Sequence, residues 1–378
     1  MKEIAICVIA YNRVDTLRRL LSSLEKAYYP HQDVTLIISI DKSNTNEVED
    51  FAKSYQWENG PLEVITHDTN LGLRHHVIAC GDLLEKYNNL IVLEDDIYVA
   101  PNFYNYAQAC VERYADDPEI AGCSLYNFRY YAEAHLPFHQ LKTDSDVYKM
   151  QLAQSWGQVW MKKQWKEFKK WYDKAGDLKE CGNIPANILA WPESSWLKYH
   201  TAYCVANKKY FIYPYVALST CFAEAGTHTA ATSSIHQSFL FSGVKTEYNF
   251  NPSVSYDSYR EFEGFGSYLG IEKKDLCTDY FGLKNNSQNQ RFLLTRKRLP
   301  YKCVRSFGLE LHPYELNVIM GIEGNMLFLY DTSVEEKNVP DAGTSYDFDV
   351  YNYNRRIDLN WVFKSSLKKR IKKLIFRK

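Results

Sequence analysis

Three consecutive carboxylates, Glu94, Asp95 and Asp96, follow directly on the wholly apolar run 90–93. Ionised side by side, such groups repel one another, and at least one gains proton affinity unless a cation compensates. A divalent metal is the simplest compensation. Oxygen ligands select Mg2+ or Mn2+, and so few protein acids leave coordination positions for phosphate oxygens and water. An ion held this way neutralises the charge that develops on a leaving diphosphate. A helix N-terminus also gathers acids through its dipole, but residues 97–101 separate this triplet from the next helical pattern. Polar, chemically loaded residues recur after other apolar runs: Asn12 and Arg13 after 4–10, Asp41 after 34–40, and Asn70 to Gly72 in the loop after 62–66.

These residues need a scaffold that brings segment ends together. The first 125 or so residues alternate between short apolar runs and stretches of helical period, the pattern of a parallel sheet with crossover helices. Strands are expected over 4–10, 34–40, 62–66, 90–93 and 120–125. Helices are expected from Val14 to Leu24, from the 67–72 loop to about Lys86, and over 102–114. In such α/β sheets ligands bind beyond the carboxyl ends of the strands, where all four polar clusters fall. Residues 144–237 are rich in Trp and Tyr and are expected to form the acceptor side of a cleft, with Trp156 at the cleft and Trp160 in the core.

At this point the motifs resemble a known family. "VLEDDIYVAPNFYNYA" is similar to the acidic signature of the N-acetylglucosaminyltransferase I family of GT-A-fold glycosyltransferases. The resemblance implies an α/β, Rossmann-like GT-A fold: a mixed, mostly parallel sheet flanked by helices, with a C-terminal extension. It implies Asp96 as the Mn2+ ligand, with Asp95 and Glu94 facing the nucleotide ribose and donor sugar. "CVIAYNRVDTLRRLL" is similar to the family's first strand and nucleotide-binding turn, which places Arg13 near the nucleotide, and Asp41 matches the acid that contacts base or ribose. "HDTNLGLRHH" resembles the N-L-G loop that passes close to the donor, with Asn70 and a Gly72 that permits the approach. "SWGQVW" and "ALSTCFAEAGTHT" look like a bacterial branch that makes surface glycans. The resemblance covers roughly residues 1–240.

One departure concerns the base. The family places an aspartate after its W-P-x-x-x-W segment, whereas here Trp196 is followed by Leu197 and Lys198. An inverting transferase needs a carboxylate that takes the acceptor hydroxyl's proton as that oxygen attacks the anomeric carbon. Glu193 and Glu224 are the candidates, and Glu224 is favoured because small residues and a glycine beside it leave space for an acceptor. His228, in the same segment, is a candidate metal or diphosphate ligand.

The remaining features bound the setting. A net charge of -1 excludes a global field for nucleic acid, and nine cysteines without C-x-x-C spacing suggest reduced thiols rather than disulfides or zinc. Near the end, Phe363, Leu367, Ile371, Leu374 and Ile375 share one helical face ringed by lysines and arginine. Such a helix can lie on an anionic membrane at about 1 kcal/mol per basic residue. The expected organisation is a catalytic domain over 1–245, divided into a nucleotide-sugar half (1–130) and an acceptor half (131–245). An extension of unassigned role (246–345) and a membrane-associating tail (346–378) follow. The function expected is a metal-dependent inverting transferase, cytoplasmic and peripheral on the inner membrane face. It would move a hexose or N-acetylhexosamine from a nucleotide-sugar donor, UDP-linked by expectation, to a surface polysaccharide or lipid-linked acceptor. The alternatives are a silent sugar-nucleotide or glycan-binding protein and a nucleotidyltransferase. The latter expects a glycine-rich phosphate loop that residues 12–15 do not supply.

Overall fold

The structure, a computed structural model, describes residues 3–30, 33–222, 224, 235–285, 287, 289–336 and 367. His228 and, apart from Leu367, the tail 346–378 lie outside the described residues. The strands in chain order are β1 (Ala5–Ala10), β2 (Leu36–Ile40), β3 (Leu62–Thr66), β4 (Asn89–Glu94), β5 (Ile97–Val99), β6 (Ile120–Ser124), β7 (Tyr130–Tyr131) and β8 (Leu136–Pro137). They continue as β9 (Val147–Met150), β10 (Gln158–Met161), β11 (Tyr210–Pro214), β12 (Ser219–Cys221) and β13 (Ser255–Tyr256). The last four are β14 (Leu276–Thr278), β15 (Phe292–Thr295), β16 (Tyr301–Phe307) and β17 (Leu327–Glu335). The helices that matter below are α1 (Val14–Glu25), α2 (Glu47–Ser54), α3 (Leu73–Asp82), α4 (Phe103–Tyr114), α5 (Lys162–Tyr172), α6 (Ala186–Leu189) and α7 (Trp196–Ala206).

Nine strands form the central sheet in the order β13-β9-β11-β6-β10-β4-β1-β2-β3. Strands β4, β1, β2 and β3 run parallel, linked by α1, α2 and α3, while β10 is antiparallel to both β4 and β6. The chain winds outward from β1 to β3 and then returns to lay β4 on the other side of β1. In α/β sheets such a reversal is where ligands bind, here beyond the carboxyl ends of β1 and β4.

Side-chain alternation explains why these strands are apolar throughout. Ile4, Ile6, Val8 and Ala10 pack on one face with Leu17, Leu20, Leu21 and Leu24 of α1 and Phe103 and Tyr106 of α4. Ala5, Cys7 and Ile9 pack on the other with Val77 of α3, Trp165 and Phe168 of α5 and Trp196 of α7. Trp160 is buried and stacks on Trp165 with ring centroids 4.5 Å apart, whereas Trp156 stays half-buried.

Beyond β12 the central sheet takes its last strand from β13, so it runs past residue 245. A second sheet, in the order β14-β15-β17-β16, follows. It is joined to the larger sheet by buried polar contacts. Glu261 accepts hydrogen bonds from Tyr131 Oη at 3.0 Å and from the Tyr280 amide at 3.1 Å, and Lys284 pairs with Asp257. Among the described residues no helix is long and apolar enough to cross a membrane, and all nine cysteines are free thiols.

Helix α3 meets α5 at Gly81, where an added Cβ would fall 2.0 Å from the Trp165 ring. Gly81→Val forces that ring out of its stack and should destabilise the fold by about 1–3 kcal/mol, as overpacking does. A fall in the urea unfolding midpoint measures it; an unchanged midpoint would show that the α3–α5 contact is loose.

Candidate functional site

The acid triplet ends β4 at this reversal, and residues 12 and 13 leave β1 beside it. Glu94 closes β4 while Asp95 and Asp96 form the turn into β5, so the three carboxylates have different surroundings. Asp95 is buried and receives Arg13 Nη2, which also lies 3.1 Å from Asp96. The Trp196 side chain lies beside Glu94, and Asp96 keeps a third of its side chain exposed (33%). Burial raises the Glu94 carboxyl to about 8, with the charges of Asp96 and Asp95 adding to the rise. Asp95 is raised to about 6, again first by burial, against the opposing charge of Arg13.

Arg13 therefore stands on the acids themselves. Its guanidinium supplies one positive charge to three carboxylates, two of which are held back from ionising, so the cluster retains an unmet demand for cation charge. Among the described residues no group of three or more His, Cys, Asp or Glu side chains gathers to hold a metal alone. What the site offers is one open carboxylate, Asp96, in an acidic field. That donor set fits a hard divalent cation that takes most of its oxygens from a bound diphosphate and water.

Asp41 is placed differently from a free ligand. Its Oδ1 accepts the amides of Lys42 at 2.9 Å and Leu71 at 2.8 Å, and its Oδ2 accepts the amide of Gly72 at 2.9 Å. The carboxylate thus ties the loop after β3 to the end of β2, and Asn70 reinforces the tie by donating to the Lys42 carbonyl at 2.7 Å. Gly72 takes φ +73°, a conformation that favours glycine, and starts α3. These residues order the loops at the carboxyl end of β2, where Asp41 also lines a shallow depression with Lys42, Val48 and His67.

Both candidate bases are held by cations. Glu224 receives Arg19 through two hydrogen bonds of 2.5 and 2.8 Å, which lowers its proton affinity. Arg19 also lies over the Phe222 ring at 3.6 Å. Glu193 is bonded by Lys198, by Tyr199 Oη at 2.6 Å and by Arg74 at 3.5 Å, and its proton affinity also falls, chiefly through Lys198. The structure brings Glu224 toward the triplet, because β12 pairs with β5 and sets Cys221 opposite Ile97. The segment that carries Glu193 reaches the triplet through Trp196. Sequence reasoning missed Trp196, Arg19, Lys198, Arg74 and Tyr199 as partners of the site. Only Trp196 and Lys198 carried a signal, Trp196 by closing the W-P-E-S-S-W motif and Lys198 by following it, since the others meet their carboxylates through the fold.

A twisted, mostly parallel sheet with helices on both faces and an acidic cluster where strand order reverses defines the GT-A, Rossmann-like fold. Residues 5–130 match the family model Glycosyl transferase family 2. A comparison with curated protein sequences finds no match. Among solved structures, S. aureus TarS 1-349 in complex with UDP-GlcNAc is similar at TM-score 0.40 and 14% identity, over 61% of this chain and 61% of that one. The mannosyltransferase PcManGT from Pyrobaculum calidifontis, in complex with GDP-Man and Mn2+, is similar at TM-score 0.34 and 13% identity, over 57% of each chain. GalNAc-T7 with UDP, GalNAc and Mn2+ is similar at TM-score 0.37 and 14% identity, over 56% of this chain and 42% of that one. The chain thus covers less than two thirds of the length of these structures.

The raised carboxyls fix the sign of a pH effect. Between the ordinary Glu value of 4.5 and about 8, folded Glu94 holds a proton that the unfolded chain has lost. Its contribution to stability is therefore neutral at low pH and becomes a penalty as pH rises toward 8. In EDTA, Glu94→Gln should flatten the decline in stability over that window, read by urea unfolding at a series of pH values. An unchanged slope would mean that the carboxyl is ionised throughout.

Proposed function

We propose that this chain is a metal-dependent, inverting glycosyltransferase using a nucleotide-sugar donor, with the donor diphosphate in the crevice beyond β1 and β4. The observation that carries this reading is the acid triplet at the strand-order reversal, its charge only partly met by Arg13. The family 2 match over residues 5–130 supports the same reading. The donor class we assign is a nucleoside diphosphate sugar, because an acid cluster with unmet demand for cation charge suits a diphosphate bridged by a metal, and UDP is our choice within it. Likeness to the N-acetylglucosaminyltransferase I motif favours a hexose or N-acetylhexosamine.

Asp96, with His228 as its second candidate, would hold Mn2+ or Mg2+, which when bound neutralises charge on the leaving diphosphate. Asp95 and Glu94 orient ribose and donor sugar, and Asp41 with Asn70 and Gly72 holds the loop that the nucleotide passes. Arg13 and Arg19 are cations within reach of the crevice, and a diphosphate competes with Asp96 and Glu224 for them. Release of Arg19 restores the proton affinity of Glu224, so that it takes the proton from the acceptor hydroxyl. We prefer Glu224 to Glu193 because it lies in the field of Arg13, close to the triplet, while Glu193 is tied by three partners. The acceptor class we assign is a surface polysaccharide or lipid-linked oligosaccharide, with the basic tail 346–378 on the inner membrane face. A second reading, a sugar-nucleotide-binding protein without transfer, is favoured by the ion pairs on both candidate bases; metal-dependent donor hydrolysis separates the two.

A thermal-shift screen of nucleotide sugars with and without Mn2+ tests the donor reading, since a ligand at one hundred times its Kd stabilises by about 2.7 kcal/mol. Asp96→Asn should lose the Mn2+-dependent part of that shift while keeping the melting temperature of the ligand-free protein. Retention of the full shift would remove Asp96 from the metal site. Arg13→Gln should bind Mn2+ more tightly than the wild type when no nucleotide is present, read as depletion of free Mn2+ by electron paramagnetic resonance. Equal affinity would mean that Arg13 does not compete for the triplet.

A further inference from the structure

Strand β6 runs parallel to β11 and antiparallel to β10, so its carboxyl end opens on the same sheet edge as the triplet. The chain leaving it, from Leu125 to Tyr131, lies across β10 from the donor crevice. Trp156, just before β10, stacks on His236 with centroids 5.1 Å apart and planes at 26°. Tyr130 meets the His236 ring edge-on at 6.1 Å. The His236 carbonyl accepts Tyr126 Oη at 2.7 Å and the Cys221 thiol at 3.6 Å. Cys221 in turn pairs across the strands with Ile97, next to Asp96. A continuous run of contacts therefore joins the triplet to these rings.

At the outer end of this run Phe239 is 72% exposed, and the Arg129 guanidinium lies 4.4 Å from its ring centre. On the same edge Arg13, Arg19 and Arg74 each have a carboxylate partner. No carboxylate pairs with Arg129 among the described residues. Burial and Arg260 lower the proton affinity of His236, which keeps the imidazole neutral and suited to stacking at neutral pH. Flat rings beside one uncompensated guanidinium make a surface for a ring with an apolar face and an anionic substituent.

We propose that Tyr130, His236 and Phe239 form an acceptor subsite, with Trp156 behind them, and that Arg129 selects an anionic sugar bearing a phosphate or a carboxylate. The proposal rests on the transferase reading and names the substrate class of its acceptor side. The sugar ring stacks on the aromatic platform and its anion takes the bidentate face of Arg129. The anion supplies selectivity, and the rings supply affinity common to all sugars.

The test is saturation-transfer NMR on the full chain, with and without UDP and Mn2+, using glucose, glucose 6-phosphate, glucuronate and inorganic phosphate as probes. The wild type should bind at least one of the two anionic sugars about fivefold tighter than glucose, a difference of about 1 kcal/mol. Which one is preferred tells phosphate from carboxylate, and inorganic phosphate alone should bind more weakly than the preferred sugar. Arg129→Gln should abolish that preference without changing UDP binding. Phe239→Ala, at an exposed position that the fold tolerates, should weaken all three sugars alike. A preference that survives Arg129→Gln, equal binding of all three sugars by the wild type, or inorganic phosphate binding as tightly as either anionic sugar would overturn the proposal. Loss of UDP binding in the wild type would instead sink the donor reading, while the arms without UDP still report on Arg129.

Discussion

Too many carboxylates for the cations around them, set where the sheet reverses its strand order, is the constraint that organises this molecule. The end of β4 carries three acids, and the only charge the neighbouring turn supplies to them directly is that of Arg13. Burial makes the imbalance costly, because a partly desolvated carboxyl cannot shed its charge into water. The fold answers in three ways: it pairs Asp95, holds a proton on Glu94, and turns Asp96 toward solvent. Each answer is incomplete, and the remainder is an unmet demand for positive charge.

The same arrangement recurs at the two carboxylates that flank the crevice. Arg19 holds Glu224, and Lys198 with Arg74 holds Glu193. The cations nearest these two acids are thus already paired with carboxylates. Each of these pairs lowers the proton affinity of its carboxylate.

Much of the fold was legible because the parallel strands are buried on both faces. Runs such as 4–10 and 90–93 admit little but aliphatic residues, and α1 repeats its leucines at helical spacing, so element types and order could be read locally. The position of the triplet followed from the same logic, since acids cannot continue a buried strand. The partners of those acids were not legible. The Arg19–Glu224 contact spans 205 residues, and no local pattern marks it. Asp41 was read as a nucleotide contact, whereas its three amide donors show a carboxylate that also braces a loop. The sheet that ends at β17 escaped for a related reason: β16 is exposed or half-buried at all but Phe307 and shifts register against β17, which is buried only over its first five residues, so their alternation is faint.

The strand β13 has one further consequence. It covers β9, anchors Tyr256 under the Leu141 amide at 2.7 Å, and carries the chain into Asp257, whose buried charge Lys284 balances. A chain severed near residue 245 would bare the margin of β9, leaving backbone groups unpaired along a strip where foreign strands can add. The C-terminal region is for this reason no appendage: it serves as a selvedge that keeps the central sheet from fraying into aggregates.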